Sequence, residues 1–165
     1  MKNKQSLYKW LYETYENDLF SYGIAFGISK ELLEDAIHDV FLHLYEREHK
    51  LWESQNMKFY LLNCLKNRIR TIKKKEMNTE FLEEGSDNYS FLIEVNGFEL
   101  IDEEKERAAM QKQLKKMLDS LTDRQREAVY LRYTQGLSYE EIGKLMGIQP
   151  KACDLYTSDA ADDLL

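Results

Sequence analysis

The stretch of sequence that decides the fold is Leu121–Cys153, LTDRQREAVYLRYTQGLSYEEIGKLMGIQPKAC. It contains two signals for the start of a helix. Thr122 stands three residues before Gln125, and Ser138 likewise stands three residues before Glu141. In each pair the hydroxyl can accept a hydrogen bond from the N3 amide, while the N3 side chain bonds back to the cap. Two short helices in succession are therefore predicted.

The same stretch carries the turns of a helix-turn-helix. Gly136 can take a positive φ and end the first helix. Gly147 supplies the sharp turn after the second helix, and Ile148 is expected to plug this turn against the core. Pro150 falls in the first turn of a third helix, where proline is tolerated. Because a helix placed in this way can enter the major groove of DNA, DNA binding is favoured over a purely structural three-helix bundle.

Length and composition exclude several classes of protein. The chain of 165 residues suits one ordinary domain or two small helical ones, and its single proline is compatible with long helices. No apolar run approaches a membrane span, and the N-terminus lacks a signal-peptide core, so no membrane insertion is expected. Cys64 and Cys153 are far apart and outside any CxxC motif, so the reducing cytoplasm is the predicted location.

The net charge of −7 averages over two segments of opposite sign. Residues 58–75 contain seven cations and no acid, whereas residues 76–104 contain ten acids and no cation. So abrupt a change predicts a domain edge followed by an acidic linker. Fully extended, these 29 acidic-segment residues reach at most about 95 Å, so two domains can lie a DNA turn of ~34 Å or more apart.

Three helices with apolar residues at helical spacing are predicted before the linker. The first covers residues 5–27, where Gly27 ends it and Ser29 caps the next helix. The second covers residues 30–48, and the third runs from residue 57 to about 75. Their apolar stripes predict the core of a small helical bundle.

The third helix has a polar, basic face opposite its apolar side. Its members follow at i, i+3, i+4, i+7 and i+11 and are Asn63, Lys66, Asn67, Arg70 and Lys74. Cations can hold phosphates while amides reach base edges, so nucleic-acid binding is favoured over a solvated helix face. Trp52 and Tyr60 flank this face; they are candidates for stacking on unpaired bases, with core residues as the alternative.

Together these segments resemble a bacterial RNA polymerase sigma factor of the sigma-70 family, in the extracytoplasmic-function (ECF) group. YETYENDLFSYG, LLEDAIHDVFLHLYE and FYLLNCLKNRIRTIKKK are similar to region 2 of that family. LDSLTDRQREAVYLRYTQGLSYEEIGKLMGI is similar to region 4. The resemblance implies an all-α fold of two small helical domains joined by an acidic linker, the C-terminal domain being a helix-turn-helix. The expected bounds are 5–75, 76–107 for the linker, and 108–153.

The resemblance also implies roles in transcription initiation, with no catalytic activity in the chain itself. The second helix is expected to bind core RNA polymerase through Asp35, His38, Asp39 and Leu42; the family more often has glutamine and glutamate where His38 and Asp39 stand. The expected surface for the promoter −10 element comprises Trp52, Tyr60, Asn63, Lys66, Asn67, Arg70 and Lys74. The expected surface for the −35 element comprises Ser138, Tyr139, Gln149 and Lys151.

Promoter DNA, core polymerase and an anti-sigma factor are the partners that the resemblance implies, and no cofactor is expected. His38 and His43 are five residues apart, which departs from the i,i+4 spacing of a helical metal site, so no metal is expected either. Two other classes stay open. A free-standing, LuxR-like transcriptional regulator would explain the helix-turn-helix but not the basic helix, and a sigma-like decoy would bind no DNA.

The last residues, 154–165, do not fit a groove-reading helix. They read DLYTSDAADDLL, whose four aspartates and lack of cations would repel phosphates. One interpretation is a genuine acidic tail. The favoured one is that residues from about 154 are not native, because CDLYTSDAADD resembles the translation of a sequencing-library adapter. The recognition helix would then be truncated, and binding to −35 DNA would be poor.

Overall fold

The computed structural model describes residues 4–46, 56–77, 89–94 and 103–148, and these ranges contain helices and connecting segments but no strand. The chain divides into two compact units, Met1–Ser86 and Asp87–Leu165. The predicted all-α fold of two small helical domains is confirmed.

The described residues of the first unit form three helices, α1 (Lys4–Ile24), α2 (Lys30–Glu46) and α3 (Met57–Met77). Each helix packs against the other two. As expected, Gly27 has a φ of +76° just after the end of α1, and the hydroxyl of Ser29 accepts a hydrogen bond from the Leu32 N–H at 3.3 Å. The largest side chains with almost no exposure come from all three helices and include Tyr22, Phe41 and Leu62.

Aromatic contacts fix α1 against α2. The ring of Tyr8 lies edge-on to Phe41 and to Tyr45, with centroids 6.0 and 5.4 Å apart, and Tyr12 contacts Phe41 at 4.9 Å. Burial raises the pKa of both the Tyr8 and the Tyr12 hydroxyl above its ordinary value, so both tyrosines are neutral at physiological pH. This packing turns the opposite, polar side of α2 outward.

The second unit contains α4 (Glu104–Asp119), α5 (Asp123–Val129) and α6 (Tyr139–Met146), with a π-helical turn over Tyr130–Thr134 that extends α5. The helix α4 begins four residues before the domain start expected from the sequence. Both Gly136 and Gly147 have a φ of +71°, as the helix-turn-helix pattern requires.

Both capping boxes predicted from the sequence are formed. The Gln125 N–H donates to the Thr122 hydroxyl at 3.2 Å, and the Thr122 N–H donates to the Gln125 side chain at 3.0 Å. At the start of α6 the Glu141 N–H donates to the Ser138 hydroxyl at 3.1 Å, and the Ser138 N–H donates to the Glu141 carboxylate at 2.9 Å. Local sequence therefore determines where α5 and α6 begin.

Six residues of the stretch expected to be a linker pack within the second unit. We call residues 89–94 the docked segment. Its central residue, Phe91, is fully buried, and the Phe91 ring lies edge-on to Tyr130 with centroids 5.6 Å apart. Ile93 packs against a buried cluster from α4, α5 and the turn between them, namely Leu118, Leu121 and Val129. The docked segment is thus part of the apolar core of this unit.

Side chains of α5 bond the main chain of the docked segment. The Phe91 N–H donates to Asp123 Oδ1 at 2.9 Å, and the Phe91 carbonyl accepts from Arg126 Nε at 2.7 Å. The Tyr89 hydroxyl donates to the carboxylate of the fully buried Glu127 at 2.7 Å. Asp123 and Arg126 therefore take the place that a neighbouring strand would take beside an extended chain.

Replacing Thr122 with alanine should lower the free energy of unfolding of the second unit by about 1 kcal/mol, because the Gln125 amide loses its cap. Thr122→Ser keeps the hydroxyl and is the matched control. Both tryptophans, Trp10 and Trp52, belong to the first unit. Urea unfolding followed by circular dichroism should therefore shift while tryptophan fluorescence does not, and an equal shift of both signals would contradict the assignment.

Candidate functional site

Three of the four residues expected to bind polymerase form one exposed row on α2. Asp35, His38 and Leu42 lie at i, i+3 and i+7, so they follow one another on successive turns of the helix. All three side chains are exposed, and Leu42 keeps 45% of its surface accessible. We call these three residues the α2 row. It offers an apolar side chain beside a carboxylate and an imidazole.

The fourth residue, Asp39, is bound to a different helix of the same unit. Its Oδ2 atom lies 2.8 Å from Arg68 Nη2 of α3, and each side chain is 44% exposed. Beside this ion pair is an open groove of about 550 Å³, lined by Asp39, Val40, His43, Cys64, Asn67, Arg68 and Thr71. Asp39 thus contributes to the contact between α2 and α3 and is only partly available to a partner.

Acids from other helices neutralise part of the charge on α3. Lys58 Nζ lies 3.8 Å from Asp18 Oδ2 of α1, and Arg68 is paired with α2 as described above. Lys73 donates to a backbone carbonyl in the turn between α1 and α2. The lack of acids within residues 58–75 therefore does not by itself require a polyanion, since the fold brings acids to these cations.

Lys66 does not lie on the exposed face that the sequence predicted. Its side chain is only 2% exposed. It stands four residues after Leu62 and three before Ile69, and both of these are buried. The buried side of α3 is wider than its apolar residues alone indicate, and Lys66 falls at its edge. A lysine in this position is not available to a DNA phosphate.

The rest of the predicted −10 surface is divided between exposed and half-buried positions. Asn67, Arg70 and Lys74 are exposed and follow at i, i+3 and i+7, so they share one side of α3. We call them the α3 stripe. Tyr60 and Asn63 are half-buried, and Trp52 lies outside the described residues. The stripe presents two cations and an amide, which are groups that bind phosphates and base edges.

In the second unit, only two of the four residues predicted to contact the −35 element are described. The hydroxyl and the N–H of Ser138 are both engaged in the capping box, although the hydroxyl hydrogen can still be donated. Tyr139 is half-buried, and the guanidinium of Arg132 lies 4.4 Å from the centre of its ring. Gln149 and Lys151 lie outside the described residues.

Arg132 lies beside the predicted −35 residues, although the sequence did not indicate it. One of its nitrogens donates to the Leu137 carbonyl at 2.9 Å, which holds the guanidinium beside the start of α6. It stands seven residues before Tyr139, with Gly136 and a change of chain direction between them, so no helical spacing could have indicated their contact. The guanidinium of Arg132 thus lies beside Tyr139, one of the residues predicted to contact the −35 element.

Two further properties concern only the described ranges. Within them, no group of three His, Cys, Asp or Glu side chains is arranged to hold a metal ion. None of the helices found there combines the length and the apolar character needed to cross a membrane. Cys64 is half-buried and forms no disulfide within the described residues, whereas Cys153 lies outside them.

Comparisons with known proteins identify a sequence family and two similar folds. Residues 111–163 match the family described as sigma-70, region 4, and this match extends into the acidic stretch that starts at residue 154. None of the curated proteins matches the sequence significantly. The fold is similar to that of the sigma factor RpoE from Bartonella quintana, solved with the anti-sigma factor NepR. That comparison has a TM-score of 0.63 and 22% identity and covers 95% of this chain and 93% of RpoE.

A second solved structure has the same fold. CnrH, in complex with the cytosolic domain of CnrY, is similar with a TM-score of 0.57 and 17% identity, over 99% of this chain and 87% of CnrH. At such low identity these two likenesses establish the fold across both units, while the family match concerns the second unit. Whether residues 154–165 are native stays a prediction.

Replacing Asp39 with asparagine should lower the free energy of unfolding of the first unit by less than about 1 kcal/mol, because both partners of its ion pair are close to half exposed. Arg68→Gln should have a similar effect, and the double replacement should give a small coupling energy. Urea unfolding followed by tryptophan fluorescence measures all three variants. A coupling energy of several kcal/mol would contradict this view of the pair.

Proposed function

We propose that this chain is an ECF sigma factor of the sigma-70 family, which binds core RNA polymerase and directs it to promoters. The observation that carries the proposal is the region 4 match at residues 111–163 in a chain whose two units have the fold of solved sigma factors. Nucleotide transfer belongs to the polymerase, and the chain itself catalyses nothing. Its place of action is then the cytoplasm, where core polymerase and promoter DNA are found.

The α2 row is the proposed contact with core polymerase. Leu42 can bury apolar surface in the partner, while Asp35 and His38 can bond basic or polar groups around it. Interfaces commonly combine a buried apolar anchor with polar groups at the rim. Asp39 acts through Arg68 in this proposal: the ion pair holds α2 and α3 together, so that the row keeps its place on the surface.

The α3 stripe and the start of α6 are the proposed DNA contacts. Arg70 and Lys74 bind phosphates of the −10 element, and Asn67 offers an amide to base edges. At the −35 element, Arg132 and Tyr139 contribute beside the Ser138 hydroxyl. An anti-sigma protein is a further candidate partner, because the related fold of RpoE was solved with the anti-sigma factor NepR.

The polymerase contact can be tested with Asp35→Lys combined with Leu42→Ala. We expect affinity for purified core RNA polymerase to fall more than about tenfold, because the partner loses an apolar anchor and meets a reversed charge. Glu13→Lys is the matched control, since Glu13 is an exposed carboxylate of the same unit that lies on a different helix, α1. It should change affinity little.

Biolayer interferometry with immobilised core polymerase gives the dissociation constants. Equal losses in the double variant and in the control would show that only overall charge matters and would contradict the docking role of the α2 row. If the unaltered chain binds duplex DNA but no polymerase, the function is instead that of a free-standing, LuxR-like regulator.

The DNA contact can be tested with Arg70→Gln combined with Lys74→Gln in the reconstituted holoenzyme. Each lost phosphate contact on single-stranded DNA should reduce the slope of log K against log salt by about 0.7, so the pair should reduce it by about 1.4. Lys9→Gln with Lys30→Gln removes the same charge from exposed positions of the same unit and is the control. Fluorescence anisotropy with promoter DNA measures the salt slope of the stripe variant and of the control. The two slopes must differ if the α3 stripe binds DNA.

A further inference from the structure

The docked segment divides the chain between α3 and α4 into two parts. The helix α3 ends at Met77 and α4 begins at Glu104. Between them, residues 78–88 precede the docked segment and residues 95–102 follow it. Because the docked segment is packed within the second unit, only residues 78–88 connect that unit to α3. We call residues 78–88 the tether and residues 95–102 the loop.

The docked segment is held by alternate residues. Tyr89, Phe91 and Ile93 are buried or half-buried, whereas the intervening Ser90, Leu92 and Glu94 are exposed. An extended chain turns successive side chains to opposite sides, so one side of the segment faces the core of the unit. Its exposed side includes Leu92, which is 60% accessible.

The partners of this segment lie on one face of α5. Asp123, Arg126 and Glu127 occupy positions i, i+3 and i+4, and they bond the main chain of Phe91 and the hydroxyl of Tyr89. Arg126 and Glu127 are themselves buried, at 7% and 0% exposure. Undocking would therefore expose an aromatic side chain and also remove hydrogen bonds from two buried charged groups.

We infer that Phe91, by holding the docked segment, fixes the length of chain between the two promoter-reading units and so limits the −10 to −35 spacing that the protein tolerates. The eleven tether residues span at most about 40 Å, close to one turn of DNA at ~34 Å. With the segment undocked, residues 78–102 would span up to about 90 Å. The inference rests on the proposed function. In this inference Phe91 is a positioning residue and does not itself contact DNA.

Two insertions of identical sequence test this inference. Ten glycine and serine residues are inserted into the tether between Gly85 and Ser86, or into the loop between Gly97 and Phe98. Ten extended residues add up to about 35 Å, or roughly one helical turn of DNA. Each holoenzyme transcribes a set of promoters whose spacer is lengthened by one base pair at a time through one turn.

The tether insertion should move the longest tolerated spacer outward by up to about one turn of DNA. The loop insertion should leave this limit unchanged, because the docked segment separates the loop from the tether. Adding Phe91→Ala to the loop insertion should move the limit outward as well, since the loop then joins the tether. Leu92→Ala, added to the loop insertion in the same way, is the matched control because Leu92 is exposed. It should leave the longest tolerated spacer unchanged.

Two results would overturn the inference. Equal shifts from both insertions would mean that residues 78–102 act as one continuous linker, and no shift from either would mean that the tether is not limiting. The insertion pair decides the matter even if Phe91→Ala prevents folding of the second unit.

If the unaltered chain does not support transcription by core polymerase, this result counts against the proposed function instead. In that case small-angle X-ray scattering still tests the inference on the protein alone. The tether insertion should increase the maximum dimension more than the loop insertion does, and equal increases would overturn the inference.

Discussion

Arg126 is 7% exposed, and its guanidinium bonds groups from three parts of the second unit. It donates to the carbonyls of Leu118 at the end of α4, Leu121 in the following turn and Phe91 in the docked segment, and it pairs with Asp123. A buried cation without such partners would be strongly destabilising. The side chain of Arg126 therefore holds the end of α4, the following turn and the docked segment close to α5, the helix that Thr122 caps.

In the first unit, the cations that are consecutive in charge along the sequence of α3 have different surroundings in the fold. Seven positive charges in residues 58–75 look like a single nucleic-acid surface when only the sequence is considered. In the structure, acids of α1 and α2 bind Lys58 and Arg68, and the buried side of α3 encloses Lys66. Charge that is paired with acids contributes little to attracting a polyanion. The α3 stripe is consequently a narrower and more directional surface than the run of cations implied.

Features encoded within a few residues were predictable, and features encoded across long separations were not. The two capping boxes and the positive φ of Gly136 and Gly147 were confirmed. The match of residues 111–163 to sigma-70 region 4 agrees with the resemblance found in that part of the sequence. The hydrogen bonds of the docked segment join residues 32 to 38 positions apart, so no local pattern could predict them. A partial signal existed in the alternating apolar residues of YSFLI within an acidic stretch, but alternation alone does not identify the partner of a strand-like segment.

The negative net charge of the chain and the short connection between its two units both affect how strongly the chain can bind DNA. A net charge of −7 opposes general attraction to DNA, so each reading surface acts at short range through its few exposed cations. Two such surfaces bind well only when binding of the first raises the effective concentration of the second. This concentration falls to near zero when the connecting chain cannot span the two sites. Docking of residues 89–94 shortens the chain that connects the two units. In the inference above, the packing of the second unit therefore determines which DNA spacings the protein can bind.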